Sequence, residues 1–264
     1  MTEQFANVDN LRIHYLSSSS GATPVIFLSG WGCDASLWVN QAAVLAPHYR
    51  VLLVDLPGHG GSDKPDIPYT LDLFSDAVNA VVEREHAPKV VVAGHSMGGM
   101  VAYEFARRWP GKTIALIWVD AAFSIPIDVD QQIAALRRRA EEFRTPDYQA
   151  KVREFVDQLY VPETPVAIRE TVTRTIVSTP QHVLASCMEG LADSRLFQHD
   201  TLGIPAFAIF SSFWNPERFV HLIKKTLPRL HYEVLSGVGH YPMLEKPEQV
   251  NAALTRFLAI AETK

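Results

Sequence analysis

The chain has 264 residues, is 47% hydrophobic and carries a formal net charge of −5. That length and apolar content suit one large domain, or a domain with a sizeable insertion, around a substantial core. The acidic balance offers no basic face for nucleic acid. No apolar run is long enough to span a bilayer, and Met1-Thr2-Glu3-Gln4-Phe5 lacks the pattern of a signal peptide, so a soluble cytoplasmic protein is expected.

Leu11-Arg12-Ile13-His14-Tyr15 alternates as a half-buried strand does. Val25–Leu28 and Val51–Val54 are continuous apolar runs, suited to strands covered on both faces. Helical patterns are read near Ser36–Ala46 and Leu71–His86. The apolar run Val90–Ala93 predicts another strand, followed by a helix up to Trp109 that Pro110-Gly111 stops. Ile114–Val119 reads as the next strand. This alternation predicts an α/β fold with a largely parallel, doubly wound sheet.

After about Phe123 the pattern changes. From Asp128 to Gln198 the sequence predicts helices, over 147–159, 165–177 and 180–192 among others, and no strand. Strand–helix alternation returns with Ala206–Phe210, a helix near Glu217–Thr226, His231–Leu235 and a last helix over Pro247–Ala261. The expected division is a core of residues 1–124 and 200–264 with a helical insertion, 125–199, between its halves. Cys33 and Cys187 form no disulfide framework and read as small apolar residues in a reducing compartment.

Gly94-His95-Ser96-Met97-Gly98 sits between a predicted strand and a predicted helix. That is a G-x-S-x-G turn in the setting of a nucleophile elbow, which holds the serine in a strained conformation above the sheet. Ser96 is therefore the candidate nucleophile. A serine hydroxyl needs a base to take its proton and a third group to orient that base. Among ten histidines, His240 is the candidate base, because it follows the last strand in Gly237-Val238-Gly239-His240. His95 lies inside the elbow and His59 in a glycine-rich loop. Oxyanion donors are expected from the Met97 N–H, next to the nucleophile, and from the Trp31 N–H in Ser29-Gly30-Trp31-Gly32.

Four segments in order, Ser29–Gly32, Asp55–Ser62, Gly94–Gly99 and Gly239–Glu245, resemble signatures of the α/β-hydrolase fold superfamily across nearly the whole chain. The resemblance implies an eight-stranded, parallel-rich sheet, a helical cap over the site, and neither cofactor nor metal. The Asp55–Ser62 loop is structural in that family. Ser29 departs from it: many relatives carry histidine there, which puts the support of the oxyanion loop in question but leaves its N–H.

The acid is the open position. Most relatives place an aspartate just after the strand read here as Ala206–Phe210, but this chain has Ser211-Ser212-Phe213-Trp214-Asn215-Pro216-Glu217. Asn215 could orient an imidazole without charge, and Glu217 lies further along. Asp120, at the end of Ile114–Val119, is favoured over both. Some haloalkane dehalogenases, a fungal lactone hydrolase and the cofactor-free quinaldine dioxygenases resemble this placement. A dehalogenase is disfavoured, since those proteins use an aspartate where Ser96 stands.

The insertion is rich in aromatics, and an apolar pocket is expected. Phe123, Phe213, Trp214 and Met188 are candidate substrate contacts. Arg137-Arg138-Arg139, Arg144, Lys151 and Arg153 make the cap locally basic. A solvated helix face explains this better than docking of an acidic carrier protein, although the Trp31 loop resembles that of the biotin-pathway carboxylesterase, which acts on a carrier-bound methyl ester. The expected function is a serine hydrolase, a carboxylesterase or lactonase, acting on a small apolar ester or lactone as a monomer or homodimer. The alternatives are a cofactor-free dioxygenase or C–C bond hydrolase acting on an aromatic substrate, and a ligand receptor with little turnover.

Overall fold

The computed structural model describes residues 1–18, 21, 23–121, 128–197 and 200–262. Eight strands form one sheet: β1 (Thr2–Val8), β2 (Leu11–Ser17), β3 (Pro24–Leu28), β4 (Arg50–Val54), β5 (Val90–His95), β6 (Thr113–Val119), β7 (Ala206–Ser211) and β8 (Leu230–Leu235). Their spatial order is β1-β2-β4-β3-β5-β6-β7-β8. The β1/β2 and β2/β4 pairs are antiparallel, and every pair from β4 to β8 is parallel. Every residue of β3 and β5 is buried. Continuous apolar runs are what strands covered on both faces require.

Flanking helices supply that cover. Helices α2 (Leu71–Arg84) and α3 (Met97–Arg108) pack on each other, with α3 against β5 and β6. Helices α1 (Val39–Leu45) and α10 (Pro247–Glu262) also pack together, against β4 and β7 respectively. The chain runs from β3 to β4 on one side and returns to β5 on the other. That reversal leaves a crevice at the carboxyl ends of β3 and β5, where α/β sheets place their ligands. The loop holding Trp31 and the turn holding Ser96 leave these two strand ends.

Three local outcomes differ from the sequence reading. Strand β1 had no predicted counterpart, because only Ala6 in it is buried and an edge strand carries little hydrophobic alternation. It joins β2 through a two-residue turn at Asp9-Asn10. The helix expected over 36–46 splits into a 3-10 turn, Ala35–Trp38, and α1, with the Asp34 side chain accepting the Ser36 N–H at 2.9 Å. The helix expected from Glu217 starts only at Val220, as α8 (Val220–Thr226), because Pro216–Arg218 forms a 3-10 turn after a left-handed Asn215 (φ 49°).

Between β6 and β7 the described residues form four α-helices, α4 (Val129–Phe143), α5 (Tyr148–Asp157), α6 (Val166–Ser178) and α7 (Gln181–Gly190), and a 3-10 turn, Ser194–Phe197. Helix α4 packs on α7 and α5 on α6, around buried Phe143, Val152, Val172, Ile176 and Leu184. No helix among the described residues is long and apolar enough to cross a membrane.

Candidate active site

Strand β5 delivers Ser96 at φ 52° and ψ −122°, a conformation that costs a non-glycine residue energy and persists only where the surroundings enforce it. The enforcement is steric. Helix α3 starts at once and its first turn lies against β3, so a Cβ on Gly98 would sit 2.4 Å from the Leu28 carbonyl oxygen. Met97 opens α3, so its N–H has no intrahelical acceptor.

Asp120 follows the last residue of β6 and also has a positive φ, 49°. Its N–H donates to the Ile209 carbonyl at 2.7 Å, which fixes the strained backbone to β7. The carboxylate is fully buried and accepts three hydrogen bonds. Ser211 N–H donates to Oδ1 at 2.7 Å, the Trp214 indole N–H to Oδ2 at 2.7 Å, and His240 Nδ1 to Oδ2 at 2.6 Å. A buried carboxylate with these partners is satisfied as an anion.

The loop carrying His240 follows β8, ahead of the short helix α9 (Pro242–Glu245), and is held on several sides. The His240 N–H donates to the Leu159 carbonyl at 2.9 Å. Its carbonyl accepts from His95 Nε2 at 2.7 Å. The Glu245 carboxylate accepts the Gly239 N–H at 2.9 Å, the Tyr241 N–H at 3.2 Å and the Thr164 hydroxyl at 2.8 Å. Ser211 Oγ donates to the Val238 carbonyl at 2.6 Å.

His95 is buried, and burial drives its imidazole well below the ordinary histidine range. It is therefore neutral, with its proton on Nε2 because a carbonyl only accepts. Its Nδ1 has no partner among the described residues. His59 is likewise kept neutral by burial. Its Nδ1–H donates to the Pro57 carbonyl at 2.9 Å, so Nε2 is the acceptor for the Gly32 N–H at 3.2 Å.

The loop after β3 is thus supported from below by His59. Gly32 takes φ +68°, and Ser29 Oγ donates to the Asp34 carbonyl at 2.6 Å, closing the loop on itself. Serine supports the loop here by its own hydroxyl, where histidine is common in the family that the sequence resembles. The loop is also fastened to the cap. The Trp31 indole N–H donates to the Leu184 carbonyl at 2.9 Å and Thr179 Oγ1 to the Gly32 carbonyl at 3.1 Å. The Trp31 ring stacks on Phe143 at 5.1 Å and meets Phe155 edge-on at 5.6 Å.

Ser96, Asp120 and His240 line one cavity of about 330 Å³ together with Trp31 and Met97. Its remaining wall is mostly apolar and includes Met100, Leu136, Phe155, Met188 and Trp214. A larger depression of about 700 Å³, beside Tyr69, Arg144 and His182, contains none of the three. No group of side chains suited to hold a metal ion occurs among the described residues.

The sequence-predicted residues are therefore placed as follows. The structure brings Asp120 to His240. Asn215 makes no side-chain hydrogen bond to it, and the Glu217 carboxylate instead accepts the Tyr232 hydroxyl at 3.1 Å. Trp214 lines the cavity and also donates to Asp120. Met188 is in the wall. Phe213 is 43% exposed, packs on Trp214 and does not line the cavity. Phe123 lies outside the described residues. Sequence reasoning missed the Trp214 donor and the Glu245 cradle. Glu245 stands in the quoted Gly239–Glu245 segment, so its position was visible, although its contacts were not.

Comparison with known proteins places the chain in a family. A model of the alpha/beta hydrolase family matches residues 25–253. The pimeloyl-[acyl-carrier protein] methyl ester esterase of Photorhabdus laumondii is 27% identical over 256 residues, covering 93% of this chain and 95% of that protein. The dihydrolipoyllysine-residue acetyltransferase component of the acetoin cleaving system of Cupriavidus necator is 35% identical over 116 residues, but only 44% of this chain and 31% of that protein are matched. Among solved structures, a thermophilic esterase from Thermogutta terrifontis superposes with a TM-score of 0.87 at 24% identity, covering 99% of both chains. The match runs from β3 into the last helix, and the chain belongs to the alpha/beta hydrolase family.

Proposed function

We propose that the protein is a serine hydrolase that cleaves a small carboxylic ester or lactone through an acyl-enzyme on Ser96. The observation that carries this reading is the 2.6 Å contact between His240 Nδ1 and Asp120 Oδ2, beside a strained serine in the same apolar cavity. In the proposed sequence the Ser96 oxygen attacks the substrate carbonyl while His240 Nε2 takes its proton. The carbonyl oxygen becomes an oxyanion that accepts hydrogen bonds from the Trp31 and Met97 N–H groups. Asp120 holds the imidazole in one tautomer and stabilises the imidazolium. Collapse of the tetrahedral species breaks the ester bond, and His240 returns the proton to the departing alcohol. Water then attacks the acyl group, again with His240 as base, and releases the acid.

The name of the Photorhabdus relative supports ester hydrolysis. A free small molecule is the better substrate class. Of the basic side chains between Arg137 and Arg153, three are answered locally, Arg139 by Glu142, Arg144 by Glu141 and Glu189, and Lys151 by Asp147, while Arg137, Arg138 and Arg153 are exposed. An acidic carrier protein would have to compete with these pairs. The dioxygenase reading rests on the position of Asp120 alone and leaves the strained geometry of Ser96 without a use. The test is a fluorophosphonate label with the adduct located by mass spectrometry, together with turnover of p-nitrophenyl butyrate. Labelling at Ser96, and loss of turnover in Ser96→Ala, are expected. Retained turnover in that variant refutes the acyl-enzyme, and oxygen uptake with a hydroxyquinolone would restore the dioxygenase.

A further inference from the structure

The wall of the cavity over Ser96 carries no lysine or arginine among the described residues. Residues 122–127, Ala-Phe-Ser-Ile-Pro-Ile, include no lysine or arginine in the sequence. The fixed charge in the wall is negative: the Asp120 carboxylate, whose oxygens are already taken by Ser211, Trp214 and His240. Burial keeps His95 neutral. The cations of the cap are turned elsewhere. Helix α4 presents Gln132 and Leu136, one turn apart, to the cavity. Arg139, on the same helix, sits over the Phe155 ring at 4.8 Å and pairs with Glu142 at 3.2 Å. Arg137 and Arg138 are exposed.

We infer that the site takes only esters without an anionic group, and that Gln132 and Leu136 are the positions that set this limit. The inference deepens the ester-hydrolase reading and rests on it. A substrate carboxylate drawn into this cavity loses its hydration, meets no lysine or arginine and lies in the field of the buried Asp120 carboxylate. A methyl ester in the same place suffers none of these penalties. The Gln132 amide can hydrogen-bond a carbonyl or hydroxyl but cannot neutralise a charge.

Dimethyl adipate and monomethyl adipate differ by one methyl group and one negative charge. With wild-type protein at neutral pH, kcat/KM for methanol release is expected to be at least about 100-fold higher for the diester. Calorimetric binding to Ser96→Ala, which needs no turnover, is expected to favour the diester by about 30-fold or more. Gln132→Arg, or Leu136→Arg should the first disturb the cap, is expected to raise kcat/KM for the monoester about 10-fold or more while lowering that for the diester. Turnover or binding of the monoester within about 3-fold of the diester overturns the inference, as does a Ser96→Ala protein that binds neither. If Ser96→Ala prefers the diester but wild-type protein releases methanol from neither ester, the charge limit stands and the hydrolase reading falls.

Discussion

The Trp31 indole N–H donates to the Leu184 carbonyl across 153 residues of sequence, at 2.9 Å. The loop that follows β3 is therefore part of the cap as much as of the core. Any displacement of α7 would pull on the backbone expected to receive the oxyanion. Thr179 repeats the connection one residue along, at the Gly32 carbonyl.

Trp31→Phe separates the two functions of this side chain. Phenylalanine keeps an aromatic ring for Phe143 and Phe155, but it leaves the buried Leu184 carbonyl without its donor. A stability loss of about 1–3 kcal/mol is expected in urea denaturation. Mispositioned oxyanion donors act on the transition state more than on ground-state binding. With p-nitrophenyl butyrate, kcat should fall roughly 10- to 100-fold and KM should change little. A rise in KM at constant kcat would reduce Trp31 to a wall of the pocket.

Asp120→Asn tests the acid. The carboxylate takes three donors on two oxygens, and an amide offers one oxygen and two protons of its own. At least one donor then faces an N–H group, and the imidazolium loses its counter-charge. Turnover should drop by roughly 10³-fold or more. Asn215→Gly, which keeps the left-handed backbone on which the Trp214 turn depends, and Glu217→Gln should stay within about 3-fold of wild type, since neither side chain hydrogen-bonds His240. The opposite ranking would move the acid to the segment after β7. Melting temperatures of all three variants separate lost chemistry from lost fold.

What could be read from the sequence, and what could not, divides along the same physical line as these variants. Buried parallel strands announce themselves by apolar runs, and the elbow by glycines that closely approaching backbones require. Asp120 emerged because the segment after β7 contains no aspartate and the end of β6 does. Strand β1 escaped because an edge strand with one buried residue has no periodicity to detect. The donation from Trp214 to Asp120 depends on a 3-10 turn over Ser212–Trp214 and a left-handed Asn215. Neither has a hydrophobic signature, so the indole read only as an aromatic wall. The links from Trp31 to Leu184 and from Thr179 to Gly32 join distant segments, which local pattern cannot pair.

His59 predicts a pH dependence of stability. Its folded-state pKa is depressed by burial, and both ring nitrogens are committed, one as donor to Pro57 and one as acceptor from Gly32. The unfolded chain binds a proton there below the ordinary histidine value of 6.5, whereas the folded chain resists it. The unfolded state then holds more protons, so stability falls as pH drops below that value and is fully present above it. His95 acts with the same sign. Each contributes a slope of up to about 1.4 kcal/mol per pH unit. Urea midpoints measured through the range from neutral to mildly acidic pH should decline in wild type and decline less steeply in His59→Gln. An unchanged slope in the variant would show that other groups carry the effect.

Glu245 touches loop backbone and the Thr164 hydroxyl but no reacting atom. It accepts the N–H groups of Gly239 and Tyr241, which flank His240, and the hydroxyl of buried Thr164 between α5 and α6. Glu245→Ala would leave three donors without an acceptor and free the loop on both sides of the imidazole. A stability loss of roughly 2–4 kcal/mol is expected, as for other broken buried networks. The loop would still be held by His95 at the His240 carbonyl and by Leu159 at its N–H, so the variant should fold. Its kcat should fall about 10- to 100-fold, because the proposed proton transfer between Ser96 and His240 tolerates little displacement of the imidazole, even about 1 Å. Glu245→Gln retains one acceptor oxygen and should recover part of both losses. If Glu245→Ala lost stability but kept wild-type kcat at a temperature where it is fully folded, the cradle would be a support for the fold alone and would have no part in positioning His240.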